Sequence, residues 1–208
     1  MTRILFVHNV QTPFVSMDEM ILRQRYEVKS VYLTHRSPKL LMDAWRDTHG
    51  IALIVAWFAS WHSLPAFIAG RLRGIPRLLI TGGYDVANMP EIDYGLRQKG
   101  LPKAISGGVF RLANRVLPFS DYAYQETIQN TPVSPKIIRR VYLGVPDMPI
   151  FHEKIQKGDI VFTVSTIDRV SMIRKGLLKF VQTAALLPDV SFVMVGKARD
   201  DAIDDLKK

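Results

Sequence analysis

Three cations, Arg169, Arg174 and Lys175, stand between the apolar run ending at Val164 and the helical pattern that opens at Gly176. A basic turn between a strand end and a helix start gathers N–H groups with partial positive charge, so it suits an anion such as phosphate. A charge-assisted contact of this kind contributes about 1.5–3 kcal/mol when partly desolvated. The same spacing also fits a solvated basic turn. A second constellation is Gly82-Gly83-Tyr84-Asp85. Its glycines let backbone approach a ligand closely. Asp85 is the candidate acid/base group or hydroxyl acceptor there. An ordinary turn in which Asp85 satisfies its own backbone remains open.

Lys103, Arg111 and Arg115 accompany Ile105, Val109, Phe110 and Leu112 in the Arg97–Arg115 segment. This is the pattern of a basic amphipathic helix on an anionic membrane surface, or of a helix whose apolar face is core; the core reading is favoured. The five histidines show no metal-ligand spacing, so no metal is expected. His8, at a strand end, and His62 are both candidates to line the cleft; for each the structural reading is favoured. Walker, G-x-G-x-x-G and G-x-S-x-G signatures are absent. Trp45, Trp57 and Trp61 are expected in the core.

The elements that must position these residues alternate. Strands are predicted at Arg3–His8, Val28–Leu33, Ile51–Phe58, Pro76–Thr81, Arg115–Ser120 and Ile137–Leu143, and again from Ile160. Helices are predicted at Pro38–Thr48, Ser63–Arg73, Lys103–Asn114 and Asp121–Asn130. The alternation specifies an α/β protein with a doubly wound, mostly parallel sheet. Ligands then collect at the carboxyl ends of strands, which ranks the loops 8–18, 58–63, 81–95, 119–122, 144–147 and 165–175 highest. The domains expected are residues 1–147, a connection over 148–158, and a second unit over 159–208.

The chain has 208 residues, 48% hydrophobic and 23% charged, a globular composition. It has no cysteine, which excludes disulfides, thiolate metal sites and a thiol nucleophile. Net charge is +9, and residues 1–150 hold 18 Lys/Arg against 11 Asp/Glu. An anionic partner is expected; nonspecific nucleic-acid binding is the weakest form of that reading. The opening MTRILFVHNV is not a signal peptide, and a soluble cytoplasmic protein is expected.

The stretch TVSTIDRVSMIRKGLLKFVQTAALLPDVSFVMVGK resembles the start of the C-terminal domain of GT-B fold glycosyltransferases, of the broad retaining family 4 kind. The likeness rests on Lys175-Gly176, Ala184-Ala185, Leu187-Pro188-Asp189-Val190 and Gly196. More weakly, VYLGVPD, RLANRVLPFS and LLITGGYDVANMPEIDYG resemble elements of the family's N-terminal domain. The resemblance implies a Rossmann-like acceptor domain followed by the first β-α-β unit of a second, incomplete Rossmann-like domain. It implies transfer of a sugar from a nucleotide diphosphate sugar to an acceptor hydroxyl, with retention, in glycan, polysaccharide or glycolipid synthesis.

In that scheme Lys175 binds the donor diphosphate, with Arg169 as first and Arg174 as second candidate for the accompanying arginine. His8, Gly82, Gly83 and Tyr84 line the acceptor side, and Asp85 is the catalytic candidate. No cofactor or metal is implied beyond the donor substrate. The implied partners are a glycan or lipid-linked acceptor, a peripheral contact with the inner face of a membrane, and a complementary chain supplying the remaining C-terminal half. No nucleic acid is implied. The alternative is a non-catalytic fragment acting as a binding or partner module. The sequence departs from the family in lacking glycine in HNVQTPFVSMDEM and in placing Gly82-Gly83 where a cleft histidine is usual.

Overall fold

The computed structural model describes residues 1–98, 100–144 and 158–206. They fall into two compact units, one built from residues 1–90 and 94–144, the other containing 158–206. Most of the expected connection, residues 148–157, and the Val145–Asp147 part of VYLGVPD lie outside the described residues.

In the first unit the order is β1 (Arg3–His8), α1 (Pro13–Arg23), β2 (Glu27–Tyr32), α2 (Leu40–Asp47), β3 (Leu53–Trp57), α3 (Ser63–Leu72), β4 (Arg77–Thr81), α4 (Gly100–Leu112), β5 (Arg115–Pro118) and α5 (Asp121–Asn130). All five strands are parallel, in the order β2-β1-β3-β4-β5. Central parallel strands are covered on both faces, so they are apolar without alternation. Residues 4–8 of β1 are all buried, as are 54–57 of β3. Successive side chains point to opposite faces. Leu5, Val7, Ile54, Ala56 and Leu79 therefore share one core with Phe67 of α3 and Val109 and Phe110 of α4. Ile4, Phe6, Val55 and Trp57 form the other, with Val15 of α1.

Two expectations fail. Residues 13–18, read as loop, begin α1, with Pro13 in its first turn. Proline there lacks only an N–H that the helix would leave unpaired anyway. The strand expected at Ile137–Leu143 is a 3₁₀ turn, Pro135–Ile137, followed by extended chain. Arg139 N–H donates to the Val116 carbonyl and Val141 N–H to that of Pro118. A continuous ladder would also need an N–H from residue 118, and proline has none.

The second unit contains β6 (Ile160–Val164), α6 (Arg169–Arg174), α7 (Leu177–Leu186), β7 (Ser191–Val195) and α8 (Ala202–Leu206). The expected basic turn is thus partly a short helix, started by Asp168, whose carboxylate accepts from Ser171 N–H at 2.7 Å. Strands β6 and β7 pair in parallel from Ile160–Ser191 to Val164–Val195. Phe180 of α7 meets Phe192 edge-on across one face of this pair. On the other face Ile160, Phe162, Val164, Val193 and Val195 are exposed. Pairing continues past the strands, with Ser165 N–H donating to the Val195 carbonyl and Ile167 N–H to that of Lys197. Gly196 permits this, because a Cβ there would stand 1.6 Å from the Ser165 carbonyl oxygen.

Candidate functional site at the strand carboxyl ends of the first unit

Strand β1 lies between β2 and β3, so the chain leaves the two neighbouring strand ends toward opposite faces of the sheet. A crevice opens at such a switch point. Here it is a cavity of about 410 Å³. Asn9 and Val10 follow β1; Phe58, Ser60 and Trp61 follow β3; Tyr84 and Asp85 follow β4. Leu96 and, from α4, Pro102 and Ile105 close the apolar side, and Arg36 enters from the segment before α2. The Arg36 guanidinium lies over the Trp61 ring, 5.9 Å from its centroid.

The backbone is unusual where it meets this cavity. Phe58 has φ of 70°, the left-handed region, in which a bulky residue is strained. Asp85 holds that turn. Its carboxylate accepts from Ala59 N–H at 2.8 Å and from Gly82 N–H at 2.9 Å, tying the end of β3 to the end of β4. The residue is fully buried, and that burial pushes its pKa up to about 6 against the four backbone hydrogen bonds that favour the anion. Gly82 is dictated by the same turn: a Cβ would fall 1.7 Å from the Phe58 ring.

Polar atoms without partners gather at these ends. Asn9 Oδ1, Thr12 Oγ1, His62 Nδ1 and Thr81 Oγ1 are buried with no hydrogen bond among the described residues. They stand at or just past β1, β3 and β4. His62 Nε2–H donates to the Trp57 carbonyl at 2.7 Å, which leaves Nδ1 as a bare acceptor. Burial lowers the His62 pKa to about 4, so the ring is neutral near neutral pH.

Of the residues singled out from sequence, Tyr84 and Asp85 line the cavity. Gly82 and Gly83 shape the turn before them, Gly83 with φ of 97°. His8 is buried at the end of β1, its Nδ1–H donating to the Val10 carbonyl at 2.8 Å and its ring stacked on Tyr32. It is not one of the cavity-lining residues. Asn9, Phe58 and Trp61 lie in the loops 8–18 and 58–63 ranked from sequence but were not singled out there, Arg36 lies outside the ranked loops, and Trp61 had been expected in the core. Trp57 is fully buried, as expected, but Trp45 is exposed. Residues Val109 and Phe110 are core, so α4 does not offer them to a membrane.

Lys175, Arg169 and Arg174 are all on the second unit and exposed. Arg169 is engaged by two carboxylates, Asp201 at 2.9 Å and Asp205 at 3.1 Å. Arg174 ends α6. Lys175 makes no ion pair among the described residues. It directly precedes Gly176, which starts α7 in the left-handed conformation without any side-chain cap. The first N–H groups of α7, next to Lys175 in the chain, thus have no side-chain cap from Gly176.

No family model matches the sequence, and no curated protein matches it. Solved structures do. A UDP complex of S. aureus MnaA aligns with TM-score 0.57 at 11% identity, over 99% of this chain and 65% of that one. UDP-GlcNAc 2-epimerase from Neisseria meningitidis, bound to UDP-GlcNAc, gives TM-score 0.57 at 11% identity, over 99% and 68%. The lipopolysaccharide outer core galactosyltransferase WaaB gives 0.53 at 9%, over 100% and 71%. The chain has the Rossmann-like α/β fold of these GT-B-type structures. It spans just under two thirds of the length of MnaA.

Proposed function

We propose that the chain takes part in transferring a sugar from a nucleotide diphosphate sugar to an acceptor hydroxyl, with retention at the anomeric carbon. The observation that carries this reading is the fold, shared over nearly the whole chain with structures that hold UDP and UDP-GlcNAc. Lys175 and the uncapped start of α7 supply positive charge for the donor diphosphate. They offset the charge that grows on the leaving group, the electrostatic help that lowers such barriers most. Arg169 is held by Asp201 and Asp205, which leaves Lys175 as the principal cation at the diphosphate in this scheme. The scheme invokes no metal and no cofactor.

The acceptor occupies the cavity of the first unit, with Asn9 Oδ1 accepting from one of its hydroxyls and Tyr84 on the wall. Asp85 positions the two turns beneath it rather than exchanging a proton, because both its oxygens are committed to backbone N–H groups. The setting that goes with this reading is cytoplasmic synthesis of a glycan, polysaccharide or glycolipid. Among the described residues no helix is long and apolar enough to cross a membrane.

Calorimetry with UDP and GDP tests the donor site. Lys175→Ala is expected to weaken binding by about tenfold or more, and unchanged affinity removes Lys175 from the site. Incubation with UDP-GlcNAc separates the chemistries: epimerised sugar without an acceptor overturns transfer. One observation favours a second reading, a binding module completed by another chain. The outer face of β6 and β7, with Phe162 and Val164, is apolar and exposed. In that case the chain binds nucleotide without turnover until a complementary polypeptide is added.

A further inference from the structure

The walls of the switch-point cavity are uneven in chemistry. Val10, Phe58, Leu96, Pro102 and Ile105 make most of them apolar. Two charged residues border it, Arg36 and Asp85. Asp85 is fully buried, and its carboxylate oxygens are taken by the Ala59 and Gly82 amides. Arg36 is exposed and makes no hydrogen bond or ion pair among the described residues; what holds it is the Trp61 ring beneath it. An arginine held over an indole keeps its planar fork of N–H donors for a carboxylate or phosphate. The cavity therefore offers one cation and no free carboxylate.

Its size and lining restrict what the apolar part can hold. A volume of about 410 Å³ suits a small molecule and not a polymer. Uncharged polar groups on the wall are few: the Asn9 side chain and the Ser60 and Tyr84 hydroxyls. A saccharide carries a hydroxyl on nearly every carbon, and those set against Leu96, Pro102 and Ile105 would lose water without gaining a partner. An aromatic body loses nothing there, and its ring packs favourably on Phe58, Trp61 and Tyr84.

We infer that the cavity takes a small hydroxylated aromatic acid, its carboxylate on the Arg36 guanidinium and its ring among Phe58, Trp61 and Ile105; that this ligand is the acceptor rests on the sugar-transfer reading. Arg36 is then the residue that selects an anionic acceptor. On that reading the ligand's hydroxyl oxygen bonds to the anomeric carbon. The bond from that carbon to the donor diphosphate breaks, its electron pair leaves on the diphosphate, and the hydroxyl proton goes with it. The step places a first sugar on a non-sugar carrier and does not extend an existing saccharide.

Calorimetry of the full chain tests it with 4-hydroxybenzoate, 4-hydroxyphenylpropionate and 6-hydroxy-2-naphthoate, each beside its neutral primary amide, and with glucose, N-acetylglucosamine and geranyl phosphate. At least one acid is expected to bind about tenfold tighter than its amide. Arg36→Gln is expected to remove that preference, weakening the acid about tenfold and the amide less than about twofold. Absence of binding by all three acids, equal binding of acid and amide, or a preference that survives Arg36→Gln overturns the inference. Equal loss of acid and amide in Arg36→Gln also overturns it, because the arginine would then only shape the wall. Tighter binding of either sugar, or of geranyl phosphate, than of every acid does the same. UDP binding measured alongside separates this inference from the donor reading. Acids bound through Arg36 without UDP or GDP binding uphold the ligand class and overturn sugar transfer, whereas UDP bound with none of the acids does the reverse.

Discussion

Asp85 and His62 are buried titrating groups with opposed effects on stability, and the opposition can be measured. The Asp85 pKa is raised from 3.8 to about 6 by burial. Its folded form keeps a proton that the unfolded chain has lost, so its contribution is fully present below the unfolded value and disappears as pH rises through about 6. The His62 pKa is lowered from 6.5 to about 4 by burial. There the unfolded chain takes the proton first, so the contribution is present above 6.5 and disappears as pH falls through about 4. Each pKa unit corresponds to about 1.4 kcal/mol, which makes either effect about 3 kcal/mol over its window. The windows overlap, and the two effects nearly cancel in the wild-type protein.

Replacing one group exposes the other. Between about pH 7 and pH 4, Asp85→Asn should lose about 2–3 kcal/mol of stability relative to wild type, while His62→Gln should gain a similar amount. Each variant also carries a constant penalty of about 1–3 kcal/mol for altered hydrogen bonding, which shifts its curve without tilting it. Urea unfolding followed by tryptophan fluorescence reads this, because Trp45, Trp57 and Trp61 all belong to the first unit. Taking differences from wild type removes every other titration. A difference between Asp85→Asn and wild type that stays constant across the range would refute the burial argument.

Gly82→Ala forces the Phe58 ring away from a Cβ and should cost about 1–3 kcal/mol of first-unit stability in the same urea assay. Gly196→Ala meets backbone rather than a movable ring, so it should separate β6 from β7, read as lost protection of the Ser165 and Ile167 amides in hydrogen exchange. Trp57→Phe deletes the indole N–H that donates to Asp18 Oδ2 at 3.0 Å and should cost about 1–3 kcal/mol by urea unfolding, with Trp57→Phe/Asp18→Asn costing less than the sum of the singles. Arg169→Ala breaks its pairs with Asp201 and Asp205 and should change UDP affinity by less than about threefold, far less than Lys175→Ala.

Much of the first unit was legible because each central strand is a short, continuous apolar run bounded by Gly, Pro or polar residues. Arg3–His8 was placed to the residue, and Gly50 and Gly74 end their segments with φ near 70°. Helix α1 was not legible. Its sequence, PFVSMDEMILR, buries only Val15, so the periodic apolar stripe that marks a helix is weak. The strand expected at Ile137–Leu143 had a suitable composition, but strand formation depends on what its neighbour can donate, and Pro118 cannot. Tyr84 and Asp85 were found by their place after a strand. The part Asp85 plays could not be found that way, since it depends on the amide of Ala59, 26 residues earlier.

The sequence alone determined the α/β alternation, the loops at which strands end, and the pairing of Lys175 with a helix-starting glycine. These follow from local periodicity and from the conformations that Gly and Pro allow. Tertiary structure alone decided the strand order β2-β1-β3-β4-β5 and hence the crevice at its switch point. It also decided that Asn9, Arg36, Phe58, Trp61, Tyr84 and Ile105 share one cavity, and that α2 turns Leu41, Met42 and Trp45 outward. Such facts are set by packing between residues far apart in the chain, and no local window contains both sides of a long-range contact.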